Sequence, residues 1–211
     1  MDTLVAAAIH DAKNSLHALD TWLARARAEA PSPALEQACL LSSQINAQLV
    51  ELLALYRADR GRLQLNVNDH FLADFVDDLL AELVLPAPAK VVVECDRSAV
   101  QMLGAWAFDA YLVKFVLLDA LRNAARHARH RVRIELERET GGGLRICVGD
   151  DGPGFPAAVL EGATAAMDAD SSGLGLAFAR LIADRHATPS GRRGRVELGN
   201  RDGARFSLIL P

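Results

Sequence analysis

Apolar residues in the first 56 positions recur in steps of four and three, the spacing of helices that bury one seam against other helices. The seam positions are Val5, Ile9, Ala12, Leu16, Leu19, Leu23 and Ala26, then Leu35, Ala38, Ser42, Ile45, Leu49, Leu52 and Tyr56. Between the two runs stands Pro31-Ser32-Pro33. We expect the first helix to end near Ala30, with Ser32 as the N-cap of the second helix and Pro33 in its first turn. The pattern predicts an antiparallel helical hairpin.

A lone hairpin of this kind would leave further apolar residues in water. These lie beside the seam: Leu4, Leu40, Leu41, Leu53 and Leu55. Pairing of two hairpins would cover them, so we expect a homodimer built around a four-helix bundle. The pattern fades over the polar residues 57–62, which include Gly61. Residues 1–62 are therefore predicted to form the first domain.

Beyond residue 62 the pattern becomes mixed. We expect helices at about residues 69–83, 109–128 and 174–186 and strands at about residues 90–95, 131–138, 144–148, 195–198 and 205–210. The glycines at 141–143 mark a turn between two of these strands. The fold class is α+β, with a second domain at about residues 67–211 that is an α/β sandwich.

Composition excludes several classes of function. The net charge of −4 and a pI near 5.9 give no basic footprint, so nucleic acid is not an expected partner. Three widely spaced cysteines support neither a disulfide framework nor a zinc site. No run approaches the roughly 20 apolar residues of a membrane span, and no positive segment precedes the first apolar residues. We expect a cytoplasmic protein without a membrane span.

Polar residues on the first helix raise a functional question. His10, Asp11 and Asn14 fall outside the apolar seam, and His17 shares that side. A solvated helix face is the simpler reading of these residues alone. A phosphate acceptor at His10 is the alternative, and it depends on the second domain.

The helix at about residues 109–128 has Asp119, Asn123 and Arg126 at positions i, i+4 and i+7, on one face. An acid, an amide and a cation on one stripe can hold a hydrated divalent ion and the phosphates that it bridges. A polar edge of ion pairs explains the stripe equally well. His127 and His130 have metal-ligand spacing, but no third ligand is evident and a helix surface is favoured.

Two glycine segments follow. Asp150 ends a strand and precedes Gly152 and Gly154; such an acid can accept the amino group of a purine, although a hairpin turn is the ordinary alternative. Gly173 and Gly175 open the last helix, where free N–H groups favour an anion, although they could serve only as a flexible helix entry. Neither a dinucleotide fingerprint nor a G-x-x-x-x-G-K-[ST] loop is present.

Taken in order, these segments resemble the boxes of the histidine kinase family. I-H-D-A-K-N resembles the phosphoacceptor box, D-A-L-R-N-A-A-R-H the asparagine box, and D-D-G-P-G-F and S-G-L-G-L-A the two glycine boxes. The final G-R-V-E-L and G-A-R-F-S-L-I-L-P are similar to the family's last hairpin. The resemblance implies a dimerisation and phosphotransfer hairpin, then an ATP-binding domain of the Bergerat (GHKL) type, a mixed sheet with about three helices on one face.

The resemblance also implies roles. His10 would take the γ-phosphoryl group of ATP, Asp11 would fix its tautomer, and Asn14 would position water for dephosphorylating a response regulator. Asn123 would ligate Mg²⁺, Arg126 would contact phosphate and Asp150 would bind the adenine amino group. The remaining residues of the implied nucleotide pocket are Asp119, His127, Gly152, Gly154, Gly173 and Gly175. The expected partners are a second copy, a receiver domain and a separate sensor or regulatory protein.

Three departures from the family pattern concern activity. Ser15 stands where many members have proline, Asp119 replaces the first asparagine of its box, and the segment between Phe155 and Gly173 is short and has no phenylalanine box. Three alternatives to a kinase therefore remain. They are a histidine phosphotransferase without ATP use, a response-regulator phosphatase working through Asn14, and an interaction scaffold.

Overall fold

A computed structural model describes residues 2–85, 91–161 and 174–211, apart from the side chains of residues 2–11, 13, 14 and 17. The chain divides into two compact units. The first comprises residues 1–63 with 84–89, and the second comprises residues 64–83 with 90–211.

The first unit contains two long helices, α1 (Asp2–Glu29) and α2 (Pro33–Asp59). Ser32 is the N-cap of α2, because its Oγ accepts a hydrogen bond from the Leu35 N–H at 3.3 Å, and Pro33 lies in the first turn. These features confirm the predicted turn. Ser42 is buried and donates to Asp20 Oδ1 at 2.6 Å, which joins the two helices.

Large apolar side chains remain accessible on the hairpin of a single chain. They are Leu19, Trp22, Leu41, Ile45 and Leu52, each between 45% and 65% exposed. Helix α2 is long and apolar enough to cross a membrane by length and composition alone. Core helices of water-soluble proteins pass the same test, so this finding is weak evidence for a span.

The second unit combines sheets with helices. Its elements are β1 (Asn68–Phe71), α3 (Leu72–Glu82), β2 (Val92–Cys95), α4 (Arg97–Leu103), β3 (Ala105–Phe108), α5 (Ala110–His127), β4 (Arg131–Arg138), β5 (Leu144–Asp150), α6 (Ala157–Leu160), α7 (Leu174–Arg185), β6 (Arg195–Asn200) and β7 (Ala204–Leu210). Strands β1 and β3 form an antiparallel pair, and the larger sheet has the order β2-β4-β5-β7-β6. Only β2 and β4 run parallel in it, so the sheet is mixed, as expected.

The five-stranded sheet has one apolar and one charged face. In β4, Val132, Ile134 and Leu136 are buried, whereas the alternating Arg133, Glu135 and Glu137 are half-buried or exposed. Helices α5 and α7 contact the sheet through its central and edge strands, and they also contact each other. Because side chains alternate along a strand, this burial pattern directs the helices to the apolar face. The arrangement is α+β, in agreement with the predicted fold class.

Several elements differ from the sequence prediction. The helix expected at about residues 69–83 begins only at Leu72, because the preceding residues form β1, in which Asp69 pairs with Ala107. The short elements α4, β3 and α6 were not predicted. Strand β2 begins at Val92, whereas the predicted start at residue 90 lies outside the described residues. Strand β5 ends at Asp150, two residues beyond its predicted end at residue 148.

Candidate functional site

Helix α5 forms one side of the candidate site. Asp109 is its N-cap, with Oδ1 accepting from the Leu112 N–H at 3.0 Å. The buried residues of α5 are Leu112, Val113, Val116, Leu117, Leu118, Leu121 and Ala124. The predicted stripe lies away from them: Asp119 and Arg126 are exposed and Asn123 is half-buried. Within residues 2–85, 91–161 and 174–211, the Asn123 side chain has no hydrogen-bond partner, so its amide is available for a ligand.

Asp119 meets the start of α7. A Cβ at Gly175 would overlap Asp119 Oδ2, so any other residue there would force the Asp119 side chain to move. Although the carboxylate is accessible, the protein around it raises the pKa of Asp119 by desolvation, against the opposing effect of Arg122 and Arg126. The structure thus brings the predicted Asp119 and Gly175 together, 56 residues apart in the sequence.

The first glycine segment lies at the other end of α5. Gly152 is buried, and a Cβ there would overlap the backbone carbonyl oxygen of His127. The contribution of His127 is therefore this carbonyl, while its side chain is exposed. Glycine at position 152 lets the strand end and the helix end approach more closely than any other residue would.

Asp150 is held by hydrogen bonds to one of its oxygens. Oδ1 accepts from the Gly152 N–H at 2.8 Å and from the Ala204 N–H at 3.2 Å. No described residue hydrogen-bonds the other oxygen, Oδ2. Asp150 thus has a fixed orientation and a free acceptor, which suits recognition of an amino group.

The neighbouring Asp151 has a different part. Its Oδ1 accepts hydrogen bonds from the backbone N–H groups of Arg129, His130 and Arg131 at 2.8, 3.0 and 3.2 Å. These bonds, that from His130 first, lower the pKa of Asp151 to about 2. Asp151 therefore fixes the turn between α5 and β4, while its other oxygen, Oδ2, lies 3.6 Å from His130 Nδ1.

Gly154 contacts a residue that sequence reasoning missed. Its φ is +86°, and a Cβ there would lie within 3 Å of the Asn200 side chain. Asn200 Oδ1 accepts from the Phe155 N–H at 2.8 Å, and Asn200 Nδ2 donates to the Phe155 carbonyl at 3.0 Å. The only sequence signal was the turn composition N-R-D-G between the last two strands.

A buried polar relay joins the two helices of the site. The Asp109 N–H donates to His186 Nε2 at 3.0 Å, and His186 Nδ1 lies 2.8 Å from the Ile182 carbonyl. These partners require a neutral imidazole with its proton on Nδ1, and burial lowers the pKa of His186 accordingly. The Asn66 N–H donates to Asp109 Oδ2 at 2.8 Å, which ties the segment before β1 to the same relay.

The remaining predicted residues cannot be located with their side chains. His10, Asp11 and Asn14 lie on the backbone of α1, but their side chains lie outside the described residues. Gly173 also lies outside them. Among the described residues, no group of three His, Cys, Asp or Glu side chains is arranged to hold a metal ion.

Residues 108–211 match a protein family described as the histidine kinase-, DNA gyrase B- and HSP90-like ATPases. These residues belong to that ATPase family. The match includes α5, both glycine segments and the last hairpin, so the contact of Asp119 with Gly175 and that of His127 with Gly152 both lie within the matched residues.

The similarity to known proteins extends beyond residues 108–211. The chain is 29% identical over 179 residues to the sensor protein RstB of Escherichia coli, with 80% of this chain covered but only 39% of RstB. The fold is similar to that of the histidine kinase AdeS of Acinetobacter baumannii, with a TM-score of 0.58 and 18% identity over 93% of this chain and 95% of AdeS. It is also similar to full-length ShkA, solved with AMPPNP, with a TM-score of 0.62 and 18% identity over 99% of this chain and 45% of ShkA.

Proposed function

We propose that this protein is an ATP-dependent protein-histidine kinase that phosphorylates itself on His10. It then passes the phosphoryl group to an aspartate of a response regulator in a two-component system. One observation carries the proposal: α5 meets both glycine segments, with Asp119 against Gly175 and the His127 carbonyl against Gly152. Three segments that are distant in sequence thus meet along α5, and the surface between these contacts is proposed as the nucleotide cleft.

Each residue of the proposed cleft would bind a different part of the Mg²⁺–ATP complex. Asp150 Oδ2 would accept a hydrogen bond from the adenine amino group, because Oδ1 already accepts hydrogen bonds from two backbone N–H groups. The Asn123 amide oxygen would ligate Mg²⁺, and the exposed Arg126 guanidinium would contact phosphate. When bound, Mg²⁺ neutralises phosphate charge and so assists phosphoryl transfer.

Phosphoryl transfer to His10 would form an N–P bond as the bond between the γ-phosphorus and the leaving ADP oxygen breaks. The Asp11 carboxylate would accept a hydrogen bond from the protonated ring nitrogen of His10, which leaves the other ring nitrogen as the nucleophile. Asn14 would orient water when the response regulator is dephosphorylated. Such transfer depends on alignment and charge neutralisation rather than on covalent chemistry by the protein.

Partners and location follow from this role. The exposed apolar residues of the hairpin favour a homodimer through a four-helix bundle. The chain spans less than half the length of RstB. The signal is proposed to come from a separate sensor or regulatory protein. We propose a cytoplasmic location for these residues, where ATP and a receiver domain are both available.

Labelling with [γ-³²P]ATP and Mg²⁺ tests the proposal. The chain should acquire a label that is lost in acid and stable in base, as a phosphohistidine is. His10→Gln should abolish it, whereas His17→Gln, which removes another histidine from the same helix, should retain it. Nucleotide binding without label would favour the phosphatase or scaffold alternative. A chain that binds no nucleotide, but accepts phosphate from a phosphorylated receiver, would favour the phosphotransferase.

A further inference from the structure

The turn between β6 and β7 touches the first glycine segment at three points. Asn200 forms two hydrogen bonds with the backbone of Phe155, at 2.8 and 3.0 Å. The Ala204 N–H donates to Asp150 Oδ1 at 3.2 Å. A Cβ at Gly203 would overlap the Asp150 carbonyl oxygen, so the turn lies directly against the backbone of Asp150.

These contacts act on both ends of the segment. At its start, Ala204 helps to fix the Asp150 carboxylate, and at its end Asn200 fixes Phe155. Between them, Gly154 lies over the Asn200 side chain with a φ of +86° that favours glycine. An asparagine amide that both donates to and accepts from one residue fixes the orientation of that backbone, because each bond restricts the other. The segment is therefore held from outside the cleft.

We infer that Asn200 is a positioning residue for base recognition. It holds residues 152–155 so that Asp150 Oδ2 points to the amino group of the base. The inference rests on the proposed function, because it assumes an adenine nucleotide in the cleft. Asn200 itself is exposed and needs no contact with the nucleotide.

Base discrimination measures this role separately from folding. ADP carries an amino group at purine position 6, whereas inosine diphosphate carries a carbonyl oxygen that Asp150 cannot bind. Calorimetric titration of the 211-residue chain with Mg²⁺ and each diphosphate gives the ratio of the two dissociation constants. Asn200→Ala should lower this preference for ADP by about threefold to tenfold. A change of this size corresponds to the net free energy of one hydrogen bond, which the misaligned Asp150 would lose.

Arg201→Ala is the matched control, because Arg201 is an exposed residue of the same turn, and it should keep the wild-type ratio. Asn200→Asp keeps the acceptor for the Phe155 N–H and loses the donor, so it should give an intermediate ratio and serves if the alanine variant does not fold. An unchanged ratio in the folded Asn200 variants, or an equal loss of both affinities, would overturn the inference. A wild-type chain that binds neither diphosphate would instead overturn the proposed function, and the inference with it.

Discussion

At the scale of single residues, polar groups in the second unit are placed by backbone contacts that the sequence does not show. Two adjacent acids, Asp150 and Asp151, look equivalent in D-D-G-P-G-F. Asp151 Oδ1 accepts three backbone N–H groups of the α5–β4 turn, whereas Asp150 Oδ1 accepts from Gly152 and from Ala204, across the β6–β7 turn. The motif predicts an acid at the strand end, but only the three-dimensional contacts show how each of the two is used.

His186 gives a prediction about pH. Its folded-state pKa is lowered by burial, so the neutral imidazole stabilises the fold, most fully above the unfolded pKa of about 6.5. This contribution should decline as the pH falls below about 6.5 toward the folded-state pKa. His186→Phe would leave the Asp109 N–H unpaired and should reduce the free energy of unfolding by about 1–3 kcal/mol at neutral pH.

Urea denaturation across about pH 5 to 8 measures this difference. The gap between wild type and His186→Phe should narrow as the pH falls. His130→Gln is the control, since the His130 side chain is 84% exposed, and it should change stability by less than about 0.5 kcal/mol. A gap that stays constant or widens toward low pH would contradict the assignment of a neutral His186.

At the scale of elements, long periodic segments were predicted well and short paired ones were not. The sequence predicted α5 to within about one residue and β4 at both ends, because their apolar periods are long and regular. Strand β1 was predicted as the start of a helix, because its residues become a strand only through pairing with β3, in which Asn68 pairs with the distant Phe108. The local sequence pattern cannot show which distant strand will pair with these residues.

The site residues likewise divide into those that the sequence predicted and one that it did not. Motif order indicated Asp119 and Asn123, which lie on one face of α5, and Asp150 and Gly152, which lie at the end of β5. Asn200 was missed, since an asparagine in a hairpin turn has an ordinary local explanation. Its contacts with Phe155 depend on how the β6–β7 turn meets the end of β5.

Gly175 gives a prediction at the junction of α5 and α7. Gly175→Ala would place a methyl group where Asp119 Oδ2 lies and so displace the Asp119 carboxylate. Because the proposed site includes this carboxylate, we expect Mg²⁺–ADP to bind roughly tenfold more weakly in calorimetric titration, a loss of about 1.4 kcal/mol. Gly199→Ala is the matched control, because nothing lies within 4 Å of a Cβ there and its binding should equal that of wild type. Equal binding by both variants would show that this junction does not shape the site.

At the scale of the whole molecule, the accessible apolar residues of the hairpin predict self-association. Ile45 is 46% exposed on α2. Burying several such residues between two hairpins would stabilise a dimer, because each contributes about 1.5–3 kcal/mol when fully removed from water. Ile45→Asp should convert the dimer to a monomer in sedimentation equilibrium, whereas Gln48→Asp, an exposed polar position on the same helix, should leave it unchanged. A wild-type monomer, or a dimer in both variants, would exclude this bundle.

The account depends most on one claim, that the cleft beside α5 binds a magnesium nucleotide. Calorimetric titration of Mg²⁺–ADP into wild type, Asn123→Ala and Asn68→Ala tests it most directly. Asn68 is an asparagine of β1 whose side chain bonds only Asn66 among the described residues, so it controls for the loss of an amide. We predict that wild type and Asn68→Ala bind alike and that Asn123→Ala loses about tenfold or more in affinity, the worth of a lost ligand contact. Binding by Asn123→Ala equal to that of wild type, or no binding by wild type, would contradict the claim.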